Sequence, residues 1–121
     1  MIAFSTPFDA TAVQFLEGLD VPMYKIASFE NTDLPLIRKV AATGKPMIIS
    51  AGTASLAEIE QAIAAARGAG AKHIILLKCT SSYPAPAHEA NLLTIPYLSG
   101  LLGVPVGLSD HTQGIGTSVA A

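Results

Sequence analysis

Charge is scarce in this chain. Asp, Glu, Lys and Arg make up 13% of its 121 residues, against roughly 25% in an average globular domain. Half of the residues are hydrophobic and mean hydropathy is +0.48, so composition favours a piece of a larger buried architecture. There are two arginines, no basic run and a formal net charge of −2, which removes any reason to invoke nucleic acid. No apolar stretch approaches the roughly 20 residues of a membrane span. The opening MIAFSTPFD lacks the basic start and long apolar run of a signal peptide. A single cysteine, Cys79, excludes an internal disulfide and fits a reducing cytoplasm. Linkers, low-complexity tracts and basic tails are absent too, and the length suits one domain or part of one.

What the chain does contain is a repeated pattern. Five short apolar runs each end in hydroxyls plus a charged or metal-capable residue: IAFSTPFD, YKIASFE, MIISAGT, IILLKCTSSYP and VGLSDHT. The strands expected from them are 2–6, 22–28, 46–50, 73–79 and 104–109. Between them, 10–19, 33–43, 55–68 and about 91–102 carry apolar residues at helical spacing. Asp33 is placed to cap one helix with Pro35 in its first turn. Ser55 and Glu58 form a capping box, and Gly68 and Gly70 end that helix. Pro96 disturbs the early part of the last helix. Strands that are apolar along their length and polar at the carboxyl end, alternating with helices, predict an α/β fold with a parallel sheet: a partial (β/α)8 TIM barrel whose chemistry lies on the C-terminal rim. Five strands do not close such a barrel, which takes roughly 250 residues. A five-stranded doubly wound domain fits the length equally well, but the Gly-rich first turn of that fold is missing.

The rim residues each admit a bland reading. Thr6, Ser28, Ser50, Ser81 with Tyr83, and Ser109 taken singly are helix caps. Together with Lys25 they suit a phosphate or carboxylate, because several donors converge on one anion. Lys25 lies inside a strand and needs a partner or ligand, since an unpaired buried ammonium is costly. A salt bridge, an anion and a Schiff-base role all remain open for it, and Lys78 offers the same choices. His111 shares a strand face with Ser109 while Asp110 faces away. Imidazole there suits a divalent metal, although a lone histidine reads first as a hydrogen-bonded structural residue. Glu30 is the better general acid or base candidate, Asp9 the better cap. Cys79 reads as packing, and neither His73 nor His88 looks functional.

In this order and spacing FSTPFD, YKIASFE, TGKPMIIS, LLKCTSSYPAP and VGLSDHT resemble the N-acetylneuraminate (sialic acid) synthase family, over essentially the whole chain. YKIASFE and LKCTSSYP are most similar to its pseudaminic and legionaminic acid branch. The resemblance implies roughly the third to seventh strands of the barrel, with the first two strands, the last strand and a C-terminal antifreeze-like domain lying outside the sequence. It implies condensation of phosphoenolpyruvate (PEP) with the open-chain aldehyde of an N-acylated amino sugar, by a cytoplasmic enzyme that is a homodimer at full length. Carried over by position, Thr6, Lys25, Ser28, Ser50, Ser81, Tyr83 and Ser109 hold PEP. Glu30, with Lys25, lies at the reacting carbons. His111 matches one of two histidines for a divalent metal, Mn²⁺ or Mg²⁺, acting as a Lewis acid; this overturns the bland reading of that residue. SAGT at 50–53 departs from the family's common STGM, losing a hydroxyl and a Met. Taken alone, the 121-residue polypeptide is expected to be inactive. A Schiff-base aldolase using Lys25 and a non-catalytic fragment that associates through open sheet edges are the competing expectations.

Overall fold

The computed structural model describes residues 2–121. Helices and strands alternate: α1 (Ala10–Gly18), β1 (Tyr24–Ile26), α2 (Leu34–Ala41), β2 (Met47–Ser50), α3 (Leu56–Gly68), β3 (Ile74–Cys79), α4 (Thr94–Leu102), β4 (Val106–Ser109) and α5 (Gly116–Ala120), with a 3-10 turn at Ala87–Glu89. The strands form one four-stranded sheet in the order β1-β2-β3-β4, and every pair is parallel. The α/β class and the parallel sheet expected from the sequence are therefore present. The first expected strand, 2–6, is reduced to a single parallel bridge between Ser5 and Tyr24, where the Lys25 amide donates to the Ser5 carbonyl at 3.2 Å. Residues 2–5 are exposed, so nothing packs on that segment to extend the ladder. Among the described residues no helix is long and apolar enough to cross a membrane.

Helix boundaries follow the capping chemistry. Asp9 Oδ1 accepts from the Thr11 and Ala12 amides, both at 2.8 Å, and starts α1. Asp33 accepts from Leu36 N at 3.0 Å to start α2. Ser55 and Glu58 cap α3 reciprocally. Each cap satisfies backbone donors that lack partners inside the helix. The last long helix starts at Thr94, later than the expected 91, so Pro96 falls in its first turn, where its missing N–H leaves no bond unmade. Gly103, with φ 62°, ends it in the left-handed conformation that glycine adopts without steric cost.

Parallel register sorts the strand side chains into two faces. Tyr24, Met47 and Ile74 are level, as are Ile26, Ile49, Leu76 and Val106. Nearly all of these are buried, in one core with Ile37 and Val40 of α2 and Ile59, Ala62 and Ala66 of α3. The other face carries Lys25, Ile48 and Ile75 at one level, Ser50, Leu77 and Gly107 at the next, then Cys79 and Ser109. Helices cover the first face. The second turns polar toward the C-terminal ends of the strands.

At the opposite end of the sheet a polar cluster ties α1 to β1 and to the turn before β2. The Tyr24 hydroxyl donates to Glu17 Oε1 at 2.6 Å, and Lys45 Nζ lies 3.1 Å from both Glu17 and Asp20. The Tyr24 hydrogen bond, then Lys45, holds the Glu17 carboxyl below the usual glutamate range. Burial, then Glu17, raises the Tyr24 phenol. A depressed carboxyl stabilises the fold above its unfolded pKa, and that contribution is lost as pH falls through its folded value. In thermal melts of the intact protein, wild type is expected to exceed Glu17→Gln in midpoint at about pH 7, and the gap should close toward about pH 3. A gap that stays constant over this range would remove Glu17 from the acid limb.

Candidate functional site

Side chains at the ends of β1, β3 and β4 meet around Cys79. Its Sγ lies 3.4 Å from Ser28 Oγ, 3.7 Å from Ser81 Oγ and 3.9 Å from His111 Nδ1. Ser109 Oγ is 3.4 Å from His111 Nε2. Ser28, Ser81, Ser109 and His111 are thus one constellation, although they are distant in sequence. Tyr83 belongs to it through its ring, whose centroid lies 4.3 Å from that of the imidazole, and its phenol end is exposed. Ser109 and His111 share a face as expected. Asp110 turns away, accepting from Thr112 N at 2.9 Å and from the Ser118 hydroxyl. Those two bonds, Ser118 first, hold its carboxyl below the usual aspartate range.

His111 is clasped by the 80–90 loop. Its Nδ1 is 2.8 Å from the Thr80 carbonyl oxygen, which only accepts, so Nδ1 carries the proton and Nε2 presents its lone pair. The Ala85 amide donates to the His111 carbonyl at 2.9 Å, and Ala85 bridges Thr112. An imidazole whose Nδ1–H is fixed by a carbonyl, leaving Nε2 as the unprotonated nitrogen, is the form in which proteins present histidine to a metal; here Nε2 faces the Ser109 hydroxyl at 3.4 Å. Among the described residues no group of three or more His, Cys, Asp and Glu could hold an ion, so His111 is a single potential ligand.

The remaining candidates make no hydrogen bond to this cluster. Ser50, at the end of β2, is 1% exposed, and its hydroxyl has no partner. Lys25 is half-buried on the same sheet face, level with Ile48. Among the described residues it has no carboxylate partner, as the ion pairs belong to Lys45. Thr6, half-buried, follows the bridging Ser5 and is therefore level with Lys25. Glu30 lies in the turn after β1, and its Oε2 is buried without a partner. Lys78, treated in the sequence as equivalent to Lys25, lies on the opposite face. Its position alternates with Cys79, and Nζ reaches Thr80 Oγ1 at 2.7 Å.

Three contributors were not foreseen. Cys79, read as packing, is the hub of the hydroxyl and imidazole contacts. Gly52, at φ 29°, brings its backbone so close that an added Cβ would lie 2.1 Å from Ser28 Oγ and 2.7 Å from Ser81 Oγ. Asn31, 2% exposed, donates from Nδ2 to the Ser50 and Ala51 carbonyls at 3.0 and 2.9 Å, bracing the end of β2 on which Ser50 sits. The glycine of SAGT was the readable signal for the close approach. For Asn31 there was no signal, because it sits in the polar run ENTD after the strand.

Relatives of known name share these segments. Over 111 residues, covering 92% of this chain, it is 50% identical to the pseudaminic acid synthase of Helicobacter pylori. It is 46% identical over 123 residues to the N,N'-diacetyllegionaminic acid synthase of Campylobacter jejuni. Among solved structures, the sialic acid synthetase of Leptospira borgpetersenii, in complex with citrate, superposes with a TM-score of 0.87 at 39% identity, covering 92% of this chain and 39% of that one. The chain spans about a third of the length of the curated relatives it matches: 33% of the first and 37% of the second. The NeuB family matches across residues 1–121, and the chain belongs to that family.

Proposed function

We propose that the protein containing this chain is a nonulosonic acid synthase of the pseudaminic or legionaminic type, condensing PEP with an N-acylated amino sugar to give the acid and phosphate. The observation that carries the reading is the convergence of Ser28, Ser81, Ser109 and His111 at the ends of three parallel strands, beside the buried, unpartnered hydroxyl of Ser50. Hydroxyl donors with the Lys25 ammonium make a cradle for the phosphate and carboxylate of PEP, with Thr6 level with Lys25 and Tyr83 at its outer edge. Their positions are set by the sheet, so orientation and charge complementarity are in place before the reaction begins. Glu30, two residues after Ser28 and with a buried, unpartnered Oε2, takes the acid–base role at the reacting carbons.

His111 is the metal-facing residue of this scheme, and its unprotonated Nε2 would hold a divalent cation such as Mn²⁺ or Mg²⁺ in place of its 3.4 Å contact with Ser109 Oγ. When bound, the cation supplies Lewis acidity toward the sugar aldehyde. One imidazole does not complete a coordination shell, so this scheme requires further ligands. In this scheme C3 of PEP attacks the aldehyde carbon, water adds at C2, and phosphate departs by C–O cleavage. The enzyme is taken to be cytoplasmic, which the free Cys79 suits, and homodimeric at full length. The 121-residue polypeptide by itself leaves Lys25, Ile48 and Ile75 half-covered and is proposed to be inactive.

The test is phosphate release from PEP by the intact protein. Release is expected only when an N-acylated amino sugar and a divalent metal are both present, and chelation should abolish it. In ¹⁸O-labelled water the label should enter the sugar acid and not the phosphate; label in phosphate would sink the scheme. Borohydride trapping of a Lys25 adduct would instead establish the aldolase reading. Ser50→Ala is expected to raise KM for PEP by about tenfold, the scale of one hydrogen bond to a charged group. Gly52→Ala should lower kcat/KM by roughly 100-fold, because its Cβ displaces Ser28 and Ser81 by a distance of the order that ruins alignment. Circular dichroism should show the fold retained in both variants.

A further inference from the structure

Lys78 is a strand lysine that the proposed chemistry leaves unused. It sits on β3, level with Leu108 of β4, and its position alternates with Cys79. It is therefore held away from the face that carries Lys25 and Ser50. Among the described residues it has no carboxylate partner. Its ammonium donates instead to neutral acceptors: Thr80 Oγ1 at 2.7 Å and the Glu89 carbonyl at 3.4 Å. Thr80 Oγ1 in turn donates to the Glu89 carbonyl at 3.4 Å, and Asn91 Nδ2 reaches the same oxygen at 3.1 Å.

These bonds tie residue 80 to residue 89, the two ends of the loop that carries Ser81 and Tyr83. The other side of Thr80 is its carbonyl, and that carbonyl receives Nδ1–H of His111 at 2.8 Å. Fixing the Thr80 side chain fixes the direction of its carbonyl, because both belong to one short residue pinned between strand and loop. The same loop touches His111 twice more, through the Ala85 amide and the Tyr83 ring. We propose that Lys78 is a positioning residue for His111: by closing the loop through Thr80 and Glu89, it holds the Thr80 carbonyl where it selects the Nδ1–H tautomer and leaves Nε2 unprotonated. The proposal rests on His111 being a site residue, but its immediate consequence, the tautomer, does not depend on a metal.

The experiment is long-range ¹H–¹⁵N correlation of ¹⁵N-histidine-labelled intact protein, metal-free, at about pH 8, where an unperturbed imidazole is neutral. His111→Gln assigns the signal. Wild type is expected to show the Nδ1–H tautomer in large excess. Lys78→Met should shift the ratio toward Nε2–H by on the order of tenfold, the scale of one hydrogen bond to a charged group, and Lys78→Arg should restore it. A folded Lys78→Met protein with an unchanged tautomer ratio overturns the proposal. Should Lys78→Met fail to fold, Thr80→Val removes the same anchor and leaves the carbonyl; an unchanged ratio there is equally fatal. Mn²⁺ titration in parallel separates the two readings. Binding weakened by about tenfold together with the tautomer shift supports both. A tautomer shift with unaltered Mn²⁺ affinity upholds the positioning role and removes His111 from the metal site.

Discussion

The structure depends on the register of a parallel sheet. Because all three ladders run the same way, every strand delivers its last residues to the same end, and alternation decides which side chains face the helices. Ile26, Ile49 and Leu76 are level and apolar, which commits one face to α2 and α3. The same commitment leaves Lys25, Ser50, Cys79 and Ser109 on the other face. A shift of one residue in any strand would exchange the two sets, placing a lysine or serine against the helices at a cost of several kcal/mol each. Burial of the aliphatic face thus fixes the polar face, and no separate interaction is needed to aim it.

Register alone does not bring hydroxyls from different strands into contact, since neighbouring strands lie about 4.8 Å apart. The turns after the strands supply the remaining closeness. Gly52 lets the loop after β2 press against Ser28 and Ser81, where any side chain would collide. Thr53 Oγ1 donates to the Ser28 carbonyl at 3.3 Å from the same loop. The hydroxyl missing at position 51 of SAGT is thus matched by one at position 53, which serves the backbone of β1's turn. Asn31 replaces ladder bonds that stop at the end of β2, so the carbonyls of Ser50 and Ala51 are satisfied and the strand end holds its direction.

Much of this was legible in the sequence, and the parts that were not have a common cause. The capping residues Asp9, Asp33 and Ser55 announced three helices because a cap is a local event with a local signature. The strand ends were legible from the change of apolar to polar residues, and the motifs carried the family resemblance. The facing of Lys78 was not legible. IILLKC is apolar on both faces, as strands of parallel sheets are, so nothing in it says which parity meets the helices; Lys25, flanked by Tyr24 and Ile26, posed no such problem. The first strand failed for another reason. IAFS has strand composition, but ladder length is set by what packs on the segment, and residues 2–5 are exposed. The contacts of the buried Cys79 were not legible because its neighbours Ser28, Ser81 and His111 are not visible from its own segment.

The distribution of unsatisfied groups bears on what the rim is for. The buried side-chain oxygens without partners, among the described residues, are Glu30 Oε2, Ser50 Oγ and Thr112 Oγ1. Each follows or ends a strand on the C-terminal side, after β1, β2 and β4. Each costs roughly 1–3 kcal/mol if left unpaired. The opposite end of the sheet, with Glu17, Asp20, Tyr24 and Lys45, has its polar groups paired with one another. Stability is therefore relinquished at one end only, the pattern expected where a ligand completes the bonding. The kinds of atom narrow the ligand further. Two hydroxyls can donate to a phosphate or carboxylate, but a carboxylate oxygen such as Glu30 Oε2 needs a donor. An anion alone would leave it unpaired, so a ligand that reached both Ser50 and Glu30 would have to carry a donor as well as an acceptor.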